Sequence, residues 1–423
     1  MRLKRKHIVF FGLTLLFVGL SDIKQASETA LTTPDPQINP IVKALVLEYD
    51  QYIQEKMHNN RIPGAAICIV KDDKIVYLKG YGIKDITTSD SVGIHTVFRL
   101  GSVSKSIAAT LTGILVQDSL INWDNTVKSY LPDFRLKTEA STNELNIKHI
   151  LSHTTGLIRH SYTNYIEDGK SLEEMIPELS NVNLIGPPGS VYSYQNLAYS
   201  LIDPIIETST GMDYETTLEE KLFKPLNMKN SSASYESIIN NPDIAYPHHY
   251  YKGRLRKSRI TKKYYNAAPA GGVNASIWDM ANFLIAINGQ KSWVIEQSTL
   301  DELFAPQVNT YIKYQYFGGW PKMRKSYYGL GFRILDYGNK KVVYHGGYVN
   351  GYKSGMAILP EENIGICILT NYSGNLANRG IRDFIDMYMN YEQYIKDYEN
   401  ISTVNAITPS FLPEMTHHSI PPQ

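Results

Sequence analysis

The sequence predicts an α+β protein in which both ends of the chain build one antiparallel sheet. Near the N-terminus, "AAICIV" and "KIVYLKGYG" flank "KDDK", a pattern typical of a strand hairpin. Strand patterns return only late, in "KKVVYHGG", "KSGMAILP" and "NIGICILTN", and from about residue 120 to 260 the pattern is mostly helical. These three observations favour one sheet flanked by helices, with an inserted, mostly helical domain, over two independent domains.

The chain begins with a segment typical of export. Basic "MRLKRKH" precedes thirteen apolar residues, "IVFFGLTLLFVGL", a run too short for a membrane span of about 20 residues. We therefore expect a signal peptide, an exported protein in the periplasm or medium, and no membrane span in the mature chain; the alternative is a short uncleaved anchor. The expected divisions are a signal peptide at 1–21, a Pro-containing leader at 22–40, one folded unit at 41–395 (α/β part 41–101 and 265–395, helical part 102–264) and a loose tail at 396–423.

Composition narrows the class of protein. The 423 residues are 43% apolar and 20% charged, as in a globular protein with a core, and a net charge of +1 argues against nucleic-acid binding. The basic stretch 252–263 is interpreted as a solvated hairpin, with attraction of anionic substrates or a membrane surface as the alternative. Cys68 and Cys367 lie in predicted strands, which favours buried thiols over a disulfide, and no Cys/His spacing suits zinc.

The stretch "FRLGSVSKS" carries the pattern Ser-x-x-Lys. On a helix, residues three apart share a face, so Ser102 and Lys105 can meet while Ser104 faces away. Ser102 at the helix start would have unpaired N–H groups nearby that favour a developing oxyanion. Lys105, once desolvated, could accept the serine proton. By itself the motif is weak, because serine is also a common helix cap.

Further motifs follow in a fixed order and resemble those of one family. They are "FRLGSVSKS", "IKHILSHTTGL", "PPGSVYSYQNLAYSLI", "PAGGVNASIWDMANF", "YGLGF" and "VYHGGYVNGYKSGMAILP". Together they resemble the serine β-lactamase and penicillin-recognising hydrolase superfamily, in its class C β-lactamase, D-alanyl carboxypeptidase and esterase branch. The resemblance extends from about Ile41 to Tyr391 and implies a β-lactamase/transpeptidase-like α/β sandwich.

The motif "PPGSVYSYQNLAYSLI" is the second catalytic block of the resemblance, after the block that contains Ser102. It places Tyr194 and Asn196 two residues apart, so in extended backbone both point into one cleft. The resemblance implies that Tyr194 relays protons between Ser102 and the leaving group. It implies that Asn196 hydrogen-bonds a substrate amide and Lys105. The alternative is that both are ordinary loop residues.

The motif "VYHGGYVNGYKSGMAILP" is the third catalytic block of the resemblance. It contains His345-Gly346-Gly347, where penicillin-hydrolysing relatives often have Lys-Thr-Gly. The glycines would let a substrate backbone lie close to the strand, with His345 and Gly347 on the same side. The resemblance implies an oxyanion hole made by the N–H groups of Ser102 and Tyr348. Since histidine is mostly neutral near pH 7, the change weakens attraction for a substrate carboxylate and favours an esterase or peptidase-like activity. The alternative is a structural His345.

The predicted function is an exported serine hydrolase that forms a covalent acyl-enzyme with an ester, a D-amino-acid peptide or amide, or a β-lactam. We expect a monomer that acts on a small molecule or a peptidoglycan-like peptide without a cofactor or metal. Loops 158–183 and 246–266 are expected to shape the pocket, and His153 in "SHTTG" is interpreted as structural. The alternatives are a true β-lactamase or D,D-carboxypeptidase, and a non-catalytic cell-wall binding protein.

Overall fold

The computed structural model describes residues 38–311, 317 and 319–404. Its main sheet has eight strands in the order β2-β1-β12-β11-β10-β9-β8-β7, and β3–β6 and β4–β5 form two small pairs. The strands are β1 Gly64–Lys71, β2 Lys74–Gly82, β3 Val97–Arg99, β4 His248–Tyr251, β5 Arg254–Lys257, β6 Asn274–Ser276, β7 Val308–Asn309, β8 Met323–Tyr328, β9 Arg333–Tyr337, β10 Lys340–Val349, β11 Tyr352–Leu359 and β12 Ile364–Thr370.

The sheet confirms the prediction that both chain ends build one antiparallel unit. The hairpin β1–β2 pairs with the last strand, β12, in a register that sets Ala65 opposite Thr370 and Cys68 opposite Cys367. The strand β10, which carries the third predicted block, lies between β9 and β11. The α+β fold class inferred from the two groups of strand patterns is therefore correct.

Helices cover both faces of this sheet. They are α1 Pro40–Asn59, α2 Ser104–Gln117, α3 Val127–Tyr130, α4 Glu139–Glu144, α5 Ile147–Leu151, α6 Thr163–Glu167, α7 Leu172–Met175, α8 Ile202–Thr210, α9 Tyr214–Leu218, α10 Tyr235–Ile239, α11 Ala268–Gly271, α12 Ile277–Ile285, α13 Gln297–Leu303 and α14 Leu376–Val404. On one face, α1 and α14 pack together against the strands; on the other, α12 packs against β1 and β12.

The alternation of side chains along β1 divides the core in two. Ala65, Ile67 and Ile69 belong to the apolar cluster beneath α1 and α14. Their neighbours Ala66 and Cys68 belong to the cluster shared with α2, α12 and the helical part. Successive strand residues point to opposite faces, so a continuous apolar run is what a strand covered on both faces requires.

The structure bears on two of the expected divisions. Helix α14 continues to Val404, so residues 396–404 are helical where a loose tail is expected. Residues 268–303, which are expected in the α/β part, are mostly helical and contain α11 to α13. Helix α12 fits that part because it forms the helical layer over β1 and β12. The division of the remaining chain stays a prediction, and the signal peptide and the end of the tail lie outside the described residues.

Several local predictions agree with the structure. Residues 252–263 begin in an exposed hairpin made by β4 and β5, as the basic stretch predicts. Cys68 and Cys367 are buried free thiols. Independently of those predictions, none of the helices in the part of the chain that the structure describes is long and apolar enough to cross a bilayer.

Candidate active site

Ser102 lies on a short 3₁₀ turn, Gly101–Val103, between strand β3 and helix α2. Hydrogen bonds hold both sides of this turn. Before it, the Leu100 N–H donates to the Val273 carbonyl at 2.9 Å. After it, the Ser104 hydroxyl accepts from the Val273 N–H at 3.0 Å. Ser104 is therefore occupied as an anchor, while the partly exposed Ser102 is left as the nucleophile candidate.

Two glycines allow strand β10 to lie directly against this turn. Gly101 has φ +52°, and a Cβ there would lie 2.8 Å from the backbone nitrogen of Tyr348. A Cβ on Gly347 would lie 2.0 Å from the Leu100 carbonyl oxygen and 3.0 Å from the Ser102 nitrogen. Only glycine fits such close backbone approaches. The backbone N–H groups of Ser102 and Tyr348, expected to form the oxyanion hole, therefore belong to two segments in direct contact.

The amine of Lys105 is buried and held by two acceptors. Its Nζ donates to the Asn196 side-chain oxygen at 2.8 Å and to the Ala270 carbonyl at 2.7 Å. It also lies 4.7 Å from the centre of the Tyr194 ring. Burial lowers the pKa of Lys105 well below its usual range, and the nearby Arg333 cation lowers it further. This environment favours the neutral amine, which can act as a base.

The predicted second block therefore converges on Lys105 from two sides. Asn196 binds its amine, and the ring of Tyr194 lies beside it. The Tyr194 side chain is nearly buried, with 9% of its surface exposed. A second cation, Arg333 on β9, lies 6.0 Å from the same ring centre. The positive charge of Arg333 favours negative charge developing on the phenol oxygen.

His345 is buried, and both of its ring nitrogens have partners within the protein. Its Nδ1 lies 2.9 Å from the Gly346 carbonyl oxygen, which can only accept, so Nδ1 carries the proton. Its Nε2 then accepts from the Tyr328 hydroxyl at 2.9 Å. Burial lowers the pKa of His345 well below its usual range, and Arg333 and Lys105 contribute. A neutral imidazole engaged in this way provides no positive charge for a substrate carboxylate.

One wall of the site comes from the loop expected to shape the pocket. The Asn196 amide lies 3.4 Å from the Tyr264 hydroxyl, and the Tyr264 ring lies over Gly271, where a Cβ would be 3.0 Å from the ring. Buried Arg99 on β3 donates to the Thr261 carbonyl at 3.0 Å and so ties this loop to the strand before Ser102. From the other expected loop, the His160 N–H donates to the Tyr194 carbonyl at 3.0 Å.

Sequence reasoning missed several residues of this arrangement. Tyr328 and Ala270 lie inside quoted motifs and Arg333 directly follows one, so those motifs could have pointed to them. Tyr199, whose hydroxyl donates to the Lys105 carbonyl at 2.7 Å, lies in the second block. Tyr264 begins a Tyr-x-Asn match of its own, but that pattern recurs often in this Tyr-rich chain and here lies in a polar loop, so it did not single Tyr264 out.

The structure thus brings the three predicted blocks together. Lys105, Asn196 and Tyr194 are in direct contact, and Gly347 and Tyr348 touch the turn of Ser102. The motif order and this convergence agree with the β-lactamase fold. Residues 49–386 match the family model described as Beta-lactamase, and the chain belongs to that family.

Curated relatives of this chain carry different names. It is 25% identical over 346 residues to "Unguisins hydrolase ungD'" of Aspergillus campestris, which covers 79% of this chain and 63% of the relative. It is 29% identical over 322 residues to "Beta-lactamase-like protein 4" of Dictyostelium discoideum, and the match covers 70% of this chain and 56% of that protein. It is 22% identical to "Protein flp" of Staphylococcus aureus, and the match covers 85% of this chain and 72% of that protein. The chain thus spans about three fifths of the length of the first two relatives.

Solved structures share the fold. The octameric penicillin-binding protein homologue from Pyrococcus abyssi superposes with a TM-score of 0.68 at 25% identity, covering 81% of this chain and 76% of that one. EstCE1, described as a hydrolase with promiscuous acyltransferase activity, also gives a TM-score of 0.68, at 19% identity, covering 82% and 99%. The second likeness concerns the fold alone.

Proposed function

We propose that this protein is an exported serine hydrolase that forms a covalent acyl-enzyme on Ser102 with an ester or a D-amino-acid peptide or amide. The observation that carries the proposal is the environment of Lys105. A buried amine with a lowered pKa is held by Asn196 and Ala270, three residues beyond a serine on the turn that precedes α2. A general base of this kind contributes about 10²- to 10⁴-fold to a rate.

The chemistry follows from the hydrogens on Lys105. A neutral amine has two N–H donors and one lone pair, and the two donors are used by Asn196 and Ala270. The lone pair is left to take the Ser102 proton while Oγ bonds to the substrate carbonyl carbon. The carbonyl oxygen becomes an oxyanion, which the N–H groups of Ser102 and Tyr348 stabilise.

Collapse of this intermediate breaks the bond to the leaving group. The proton taken by Lys105 returns to the leaving oxygen or nitrogen through the Tyr194 phenol, which lies beside the amine. Water then attacks the acyl carbon and gives a proton to the same base; the bond between Oγ and the acyl carbon breaks, and the base returns that proton to Oγ, which releases the acid and restores Ser102 and the neutral amine. None of these steps calls for a metal or an organic cofactor.

The state of His345 supports esters and D-amino-acid substrates over penicillins. Its imidazole is neutral and its nitrogens are bound to Gly346 and Tyr328. It therefore lacks the permanent charge that a lysine at this position would offer to a carboxylate.

A second candidate function is supported by Arg333. Its guanidinium is a permanent cation within 6.0 Å of the Tyr194 ring centre and 5.5 Å of the Tyr328 ring centre. This charge favours substrates that carry a carboxylate near the scissile bond. A true β-lactamase or a D,D-carboxypeptidase would have such substrates.

Covalent labelling tests the proposal. Intact-protein mass spectrometry after exposure to a fluorophosphonate should show one adduct on the wild type and none on Ser102→Ala. Ser104→Ala is the matched control and should retain the adduct, because the Ser104 hydroxyl is engaged with Val273. An adduct that persists in Ser102→Ala, or none on the wild type, would contradict the proposal; the latter favours a non-catalytic binding protein.

A substrate panel separates the two candidate functions. It contains a p-nitrophenyl ester, a D-amino-acid amide, a D-Ala-D-Ala peptide and nitrocefin, each assayed for turnover. Faster turnover of the ester and the amide supports the first candidate. Sustained nitrocefin or D-Ala-D-Ala hydrolysis supports the second.

Export and a monomeric state stay predictions. N-terminal sequencing of protein recovered from outside the cytoplasm tests cleavage near residue 21, and light scattering tests the mass in solution. The octamer described for the Pyrococcus abyssi homologue is a property of that protein.

A further inference from the structure

His153 lies beside the catalytic cluster although the proposed chemistry does not use it. Its side chain is fully buried, and its backbone has φ +60°, a left-handed conformation that is uncommon for residues other than glycine. Its place in the "SHTTG" motif by itself favours a structural role. Its contacts are concentrated on the segment that carries Tyr194.

Two hydrogen bonds attach His153 to both sides of Tyr194. The Ser193 N–H donates to the His153 carbonyl at 2.8 Å, and the Gln195 N–H donates to its ring Nδ1 at 3.2 Å. Since Nδ1 accepts, the proton of the neutral ring lies on Nε2. The orientation of the imidazole is therefore determined by the residues that flank the catalytic tyrosine.

The imidazole also packs against the Tyr194 ring. The two ring centres are 4.2 Å apart, the closest of its four aromatic contacts. The others are with Tyr328 at 4.8 Å, Tyr199 at 5.1 Å and Tyr192 at 6.1 Å. Among the described residues, Nε2 has no hydrogen-bond partner. Burying a polar nitrogen without a partner costs free energy, and a leucine or phenylalanine would have no such nitrogen. Packing alone therefore does not explain a histidine at this position.

We propose that His153 is a positioning residue for Tyr194: it holds the phenol in the orientation that transfers protons between Ser102, Lys105 and the leaving group. The imidazole provides one face of the Tyr194 site, and its Nδ1 fixes the backbone of the next residue. This inference rests on the proposed function. It assigns His153 no contact with substrate.

Two groups of variants separate positioning from stability. His153→Phe keeps a flat ring but removes the acceptor for the Gln195 N–H, whereas His153→Asn places an oxygen where Nδ1 lies. We expect His153→Phe to lower kcat on a p-nitrophenyl ester by up to about 100-fold with KM little changed, because a misplaced catalytic group slows chemistry. His153→Asn should recover much of that loss.

His248 provides a matched control. It is also a buried histidine that accepts a backbone N–H, from Ile86, at 3.2 Å, and its other ring nitrogen likewise lacks a partner among the described residues. It lies on β4, away from Tyr194 in the described contacts. His248→Phe should lower the melting temperature about as much as His153→Phe and leave kcat near the wild-type value.

The outcomes are distinct. A His153→Phe protein with wild-type kcat, or a His248→Phe protein with an equal loss of kcat, would overturn the positioning role. If His153→Phe does not fold, His153→Gln takes its place. The glutamine side-chain oxygen reaches the position of Nε2 and not that of Nδ1, so it cannot accept from the Gln195 N–H. Activity of His153→Gln equal to that of His153→Asn would then count against the proposal. Failure of the proposed function appears separately, as fluorophosphonate labelling that survives Ser102→Ala.

Discussion

At the scale of single residues, the decisive feature is the burial of Lys105. An exposed lysine is a cation at neutral pH and a poor base. Here the whole side chain is buried and Arg333 adds positive charge nearby, and both effects favour the uncharged amine. The Asn196 Oδ1 and the Ala270 carbonyl oxygen can only accept, so they orient the amine without giving it a proton.

Replacing Lys105 tests this role. Lys105→Met keeps the length of the side chain but has no amine, and Lys105→Arg keeps a charge that cannot be lost. We expect kcat/KM on a p-nitrophenyl ester to fall at least about 100-fold in both, as for loss of a general base. Retention of activity by Lys105→Arg would show that charge, and not proton transfer, is what the site needs.

The pH dependence of the reaction should report the same group. The base is active when neutral, so kcat/KM should rise with pH through the lowered pKa of Lys105 and reach a plateau above it. Activity is correspondingly lost as pH falls through that pKa. A pH–rate profile with a p-nitrophenyl ester, corrected for spontaneous hydrolysis, measures it. A profile that keeps rising to the ordinary lysine pKa of 10.5 would contradict the assignment.

At the scale of elements, the site depends on how closely β10 approaches the turn before α2. This approach is made possible by Gly101 and Gly347, whose missing side chains leave room for backbone atoms. The Ser354 hydroxyl on β11 donates to the Leu100 carbonyl at 2.5 Å and closes the same junction. The proposed oxyanion hole therefore depends on the packing of a strand against a turn and not on one loop.

An alanine at Gly101 should separate the two elements. Its Cβ would lie 2.8 Å from backbone atoms of Tyr348, in a conformation with φ +52°. We expect a loss of roughly 1–3 kcal/mol in the free energy of unfolding, measured with urea, together with a large loss of kcat. Gly211→Ala is the control: its φ is +71°, but nothing lies within 4 Å of a Cβ there.

The control isolates steric contact from backbone strain. Gly211→Ala should lose some stability through its positive φ and keep kcat, because it ends helix α8 away from the site. If both variants lost kcat equally, close packing of β10 on the turn would not be the cause.

At the scale of the whole molecule, the first and last described helices cover one face of the sheet. Helices α1 and α14 pack together, and the buried Tyr49 hydroxyl of α1 donates to the Gly380 carbonyl of α14 at 2.9 Å. The candidate site residues lie on the opposite side, with the apolar cluster that includes Leu100, Val103 and Tyr199. Mutations beneath α1 and α14 should therefore change the free energy of unfolding without changing the kinetic constants of the proposed reaction.

Tyr49→Phe tests that separation. Removing one buried hydroxyl donor should lower the free energy of unfolding by about 1 kcal/mol. Since α1 lies across the sheet from the site, kcat and KM should stay at their wild-type values. Steady-state kinetics and urea unfolding on the same preparation measure both, and a loss of kcat would mean that the two faces are coupled.

Much of this architecture could be predicted from local sequence. The strands β1, β2 and β10 to β12 and the helices α1 and α14 follow from apolar runs and periodicity. The order of the motifs resembled one family, and the match over residues 49–386 confirms the family. Catalytic roles for Ser102, Lys105 and Tyr194 stay predictions, now with a defined geometry for their tests.

Other features were decided only by tertiary structure. Ala270 binds Lys105 across 165 residues, Tyr328 binds His345 on a neighbouring part of the sheet, and Tyr264 reaches Asn196 from a polar loop. Periodicity in the sequence reports which face of an element is buried, because that depends on neighbours within a few residues. Which distant carbonyl or hydroxyl meets a buried amine or imidazole depends on how whole elements pack, and this packing also determines whether those side chains are charged.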